Sequence, residues 1–149
     1  MSGRTAFRLI VMIFVVTMLV MAYAGIVFGQ DGLQKYFNDA SLKVKATTEP
    51  SQKREILNNS FDNMSKALDT VRSSALVSTT DRAGIDRVTA ALQEKQDELA
   101  GTNGFTRVPD AQLNAFSDYV VQDMEQADKN ITISLVAALL IVIIIILVV

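Results

Sequence analysis

Residues 57–75 read LNNSFDNMSKALDTVRSSA, and their spacing decides the fold. Leu57, Phe61, Met64, Leu68, Val71 and Ala75 follow one another in alternating steps of four and three. That is the rhythm of a helix carrying one apolar stripe. The stripe predicts a seam buried in a helical core or against a second chain.

Upstream, Thr47-Thr48-Glu49-Pro50 breaks the pattern, because proline lacks a donor and disfavours helix in the residue before it. Pro50 itself suits the first turn of the next helix. Before the break, Leu33, Phe37, Ala40 and Val44 share one stripe. Downstream, Ser78-Thr79-Thr80-Asp81 supplies a turn and helix N-cap candidates. A third helix follows with Ile85, Val88, Leu92 and Leu99 on one face and Gly101 as its C-terminal cap. Lys95 or Gln96 interrupts that face, and Lys95 is read as snorkelling to water or setting helix register. After a loop through Pro109, Asp110 opens a fourth helix with Leu113, Phe116, Val120, Met124 and Ala127 on its apolar side. No breaker separates Ala127 from the apolar end of the chain, so this helix is expected to continue into it. The expected fold is all-α, an up-down four-helix bundle over residues 30–130.

The two ends are different material. Residues 9–28 carry no charge and are almost wholly apolar, and residues 131–149 are apolar apart from Thr132 and Ser134. Some twenty residues at 1.5 Å each match a hydrocarbon core of about 30 Å. The expectation is therefore two transmembrane helices, 9–29 and 131–149, flanking the bundle. Arg4 and Arg8 in the tail 1–8 place both termini in the cytoplasm and residues 30–130 outside, in a multi-pass protein of the cell inner membrane. Ala22-Tyr23-Ala24 offers the rival reading of a cleaved signal peptide, but the apolar run continues past it through Phe28. Val149 follows the Ile-rich run with no basic flank, so the sequence is expected to be the front part of a longer protein.

Half of the 149 residues are apolar, and the formal charge is −2. No basic run points to nucleic acid. The absence of Cys and His removes disulfides, thiolate metal sites, a thiol nucleophile and the commonest general base. Asp97 with Glu98, or Asp123 with Glu125, could in principle do acid–base work. Neighbouring residues on a helix point about 100° apart, and no hydroxyl has a His to activate it. The chain does not read as an enzyme, and no metal or cofactor is expected. An all-oxygen cation site on the acidic fourth helix, with Asp110, Asp118, Asp123, Glu125 and Asp128, lacks calcium-loop spacing. Arginine forks bind carboxylates, so Arg72, Arg82 and Arg87 are the candidate ligand-binding residues, Arg72 lying beside the seam. Arg107 belongs to the same set, and for all four the competing reading is a surface arginine paired with a nearby acid. Asn58-Asn59-Ser60, Asn63-Met64-Ser65 and Asn130-Ile131-Thr132 match a glycosylation pattern, a weak signal. The narrow seam and small core predict a homodimer.

Taken in order, these parts resemble the input half of methyl-accepting chemotaxis receptors and related bacterial or archaeal sensor kinases. The resemblance rests on the basic start 1–8, the apolar segment 9–28, the seam from Leu57 to Ala75, and the run from Met124 to Asn130 into the Ile-rich tail. It implies a sensory and dimerisation module in which a small-molecule or protein ligand shifts the fourth helix and, through it, the second membrane helix. The alternative is a complete two-span accessory or scaffold subunit of a larger membrane complex.

Overall fold

The computed structural model describes residues 32–130 and 135–148. Among the described residues every regular element is helical. In chain order they are α1 (Gly32–Ala46), α2 (Pro50–Arg72), α3 (Thr79–Ala100), a 3-10 turn (Asp110–Gln112), α4 (Leu113–Asn130) and α5 (Leu135–Val148).

The breaks fall where local chemistry puts them. Pro50 is the first residue of α2, behind an extended Glu49. Ser78 caps α3 reciprocally: its hydroxyl accepts from the Asp81 backbone N–H at 3.1 Å, while the Asp81 carboxylate accepts from the Ser78 N–H. Gly101 ends α3 in the left-handed conformation at φ 74°. A side chain there would strike the backbone of Arg107, 2.6 Å from the position of a Cβ. Asp110 opens a 3-10 turn rather than α4 itself, which begins at Leu113.

Each apolar stripe turns inward. Leu33, Phe37, Ala40 and Val44 of α1 are buried, as are Ile85, Val88, Leu92 and Leu99 of α3 and Leu113, Phe116, Val120 and Met124 of α4; Ala127 is half-buried. In α2, Leu57, Phe61, Met64, Leu68 and Val71 are buried, but Ala75 is exposed because the helix stops at Arg72. The seam is consumed by the chain's own core: Phe37 and Phe61 rings meet with centroids 5.7 Å apart. Any self-association must use another face.

Contacts across the helices set their directions. Tyr36 reaches Ser60 and Thr47 reaches Gln52, so α1 and α2 run antiparallel. Gln96 to Asp62 and Arg72 to Asp86 do the same for α2 and α3. Lys53 and Arg54 at the start of α2 meet Asn114 and Asp110, which sets the start of α4 beside the end of α1. Along that antiparallel pair, the most extensive in the fold, Ser41 and Ser117 share a buried hydrogen bond of 2.9 Å.

The apolar tail departs from expectation. Continued straight from α4, Ile145 would sit about 22 Å beyond Asn130. Instead α5 lies against α2, Val142 is 4.0 Å from where a Gly32 Cβ would stand, and Ile145 and Ile146 face the Tyr36–Lys43 stretch of α1. The chain has folded back. Ala137 and Ile141 are buried in the common core.

This corrects the expected multi-pass membrane placement. No helix among the described residues is long and apolar enough to cross a membrane. Against α2 and the common core, Ala137 and Ile141 of α5 leave water, while Ile146 and Leu147 stay exposed. The expected first segment, 9–29, lies outside the described residues.

Candidate functional site

Two polar arrangements stand out against the apolar core. The first surrounds Lys95. Its position on the apolar stripe of α3 leaves the side chain only 2 % exposed, so it does not snorkel. Nζ lies 2.8 Å from Glu98, 2.7 Å from Asp123 on α4 and 3.9 Å from Glu94; it donates to the Tyr119 hydroxyl at 2.8 Å and sits 4.1 Å from that ring's centroid. Burial disfavours the ammonium, but hydrogen bonds to Asp123, Glu98 and Tyr119 outweigh it and hold the Lys95 pKa above its ordinary value. Every strong partner is satisfied, so the cluster pins α3 to α4 and offers no open position for a ligand.

The second arrangement is a cleft of about 520 Å³ where α5 meets the α1–α2 pair. Helix α1 contributes Tyr36, Asp39, Ala40 and Lys43; α2 contributes Ile56, Asn59, Ser60 and Asn63; α5 contributes Ile145 and Ile146. These positions recur every three or four residues on α1 and α2, so each helix offers one continuous face. Tyr36 donates to the Ser60 carbonyl at 3.1 Å. Burial pushes its phenol pKa up against the lowering effect of hydrogen bonds with Asn63 and Ser60. The cleft thus has one polar, charge-bearing wall and one aliphatic wall, within the size range of small-molecule sites.

The arginines singled out from sequence lie elsewhere. Arg72 is paired with Asp86 through two hydrogen bonds, at 2.5 and 3.2 Å, on the exposed surface. That contact raises the Arg72 pKa and lowers that of Asp86. Arg82 donates to the carbonyls of Arg72 and Ser74, tying the start of α3 to the end of α2. Arg87 is exposed on α3. None of the three lines the cleft.

Among the described residues, Arg54, which the sequence did not single out, is the best-held arginine. It donates to the carbonyls of Leu99 (3.3 Å) and Val108 (2.5 Å) and pairs with Asp110 at 2.7 Å, closing the loop between α3 and α4. Of the acids weighed for catalysis, Asp97 accepts from Gln93, Thr102 and Asn103 at the α3 terminus, and Glu98 and Asp123 are taken by Lys95. Among the described residues no group of three or more acidic side chains converges on a point that could hold a metal ion.

The cleft residues had no motif to announce them. The i, i+4 pair Asp39 and Lys43 looks like ordinary solvated helix surface, and only the folding back of α5 gives it a wall to face. Comparison with known protein families, curated proteins and solved structures finds no match to this chain.

Proposed function

We propose that this chain is a non-catalytic sensory module, the input part of a receptor-like signal transducer. In this reading α1 to α4 form an up-down four-helix bundle, and α5 is the element that reports occupancy of the cleft. The observation that carries it is the placement of the cleft: a ligand there would touch the α1–α2 pair on one side and α5 on the other. Binding energy that differs between two positions of α5 shifts the helix, and nothing else is needed to pass a signal along it. A second reading, an accessory or scaffold subunit of a larger assembly, is favoured by the exposed Ile146 and Leu147 on α5.

The absence of cysteine makes the test direct. Asn58→Cys and Leu147→Cys, both exposed and outside the cleft lining, give a unique pair of spin labels on α2 and α5. A compound that stabilises the wild-type chain but not Ile145→Trp, in which the cleft is filled, is expected to change the label-to-label distance. A distance unmoved by such a compound overturns the sensory reading, and co-purification of a stoichiometric larger assembly supports the subunit.

A further inference from the structure

We propose that the cleft takes a short peptide with free termini and aliphatic side chains, a dipeptide being the smallest member; this rests on the cleft being the ligand site. Asp39 and Lys43 stand one turn apart on α1, at the same rim. Neither side chain has a hydrogen bond or ion pair with another described residue, whereas Lys45 on the same helix is matched to Asp118. Among the described residues, then, the rim presents one carboxylate and one ammonium without a partner, a pattern complementary to a zwitterion.

The spacing favours a zwitterion whose charges stand several ångströms apart. Side chains at i and i+4 leave a helix about 5–6 Å apart. A dipeptide at 3.3–3.6 Å per residue separates its ammonium from its carboxylate by roughly 6–7 Å, while a single amino acid offers about half of that. With a dipeptide ammonium at Asp39 and its carboxylate at Lys43, the antiparallel register of α1 and α2 sets Asn59 level with the Asp39 end of the peptide, where its side chain offers both donor and acceptor. The peptide's side chains then meet Ile56, Ile145 and Ile146 on the aliphatic wall. The volume of about 520 Å³ holds such a peptide and leaves most of itself empty around a free amino acid.

The test is calorimetric titration of the full chain with L-leucyl-L-leucine at low salt. Binding is expected to weaken at least tenfold in Asp39→Asn and in Lys43→Gln. L-leucine and N-acetyl-leucyl-leucinamide are expected to bind at least tenfold more weakly than the dipeptide. Both substituted positions are solvent-exposed, and circular dichroism verifies that the variants fold. A parallel titration with 1-anilinonaphthalene-8-sulfonate, in the wild-type chain and in Ile145→Trp, reports whether the cleft admits any ligand. If that probe enters the cleft and the dipeptide does not, or if the dipeptide binds both charge variants as it binds the wild type, the peptide assignment is overturned while the cleft stands. If neither ligand responds to Ile145→Trp, both fall.

Discussion

Lys95 Nζ on α3 lies 2.7 Å from Asp123 Oδ2 on α4, and almost no water reaches the ammonium. Its removal strands Glu98 and Asp123 beside each other without a cation. Lys95→Met is expected to cost about 3 kcal/mol at neutral pH, in the range for losing one partner of a buried pair. Urea denaturation measures it.

The same lysine makes a prediction at high pH. Its folded-state pKa lies above the unfolded value of about 10.4. The stabilisation is therefore complete below that value and lost as pH rises through the folded pKa. Stability curves of wild type and Lys95→Met should stay parallel from pH 7 to about 9 and converge only above about 10.4. Convergence at lower pH would contradict the geometry.

At the acid end the paired aspartates act in the opposite sense. The hydrogen bond from Lys45 holds the Asp118 carboxyl below the usual range, Arg54 does so for Asp110, and Asn103 with Thr102 for Asp97. A lowered folded pKa stabilises above the unfolded value of about 3.9 and fades as pH falls through the folded one. Asp97→Asn should therefore flatten the acid limb of the stability curve below about pH 4, measured by thermal unfolding.

Arg54→Ala should free the loop between α3 and α4. Two backbone carbonyls and Asp110 lose their donor, a loss of about 1–3 kcal/mol. Limited trypsin digestion gives a local readout, since Arg107 is exposed in that loop. Cleavage there is expected to be faster than in wild type at equal temperature.

Within α2, Leu68→Ala should cost about 2–5 kcal/mol, as a fully buried leucine does, while Ala75→Ser should be close to neutral. Chemical denaturation of both variants tests whether the seam ends at Val71.

What the sequence determined by itself is local. Spacing of apolar residues at three and four defined α1 to α4, because a helix brings such residues onto one face whatever lies opposite. Pro50 and Gly101 marked boundaries through backbone constraints of their own. What only the tertiary structure decided depends on the partner across a gap. Lys95 reads as a solvated interruption until Asp123 and Tyr119 arrive from α4. Ala75 keeps the seam's rhythm but lies past the last helical turn. The apolar tail has the composition of a membrane span, yet its composition says only that its surface must leave water. The third dimension supplied the side of α2 as the place to do so, and the cleft with Asp39 and Lys43 on its rim exists as a consequence.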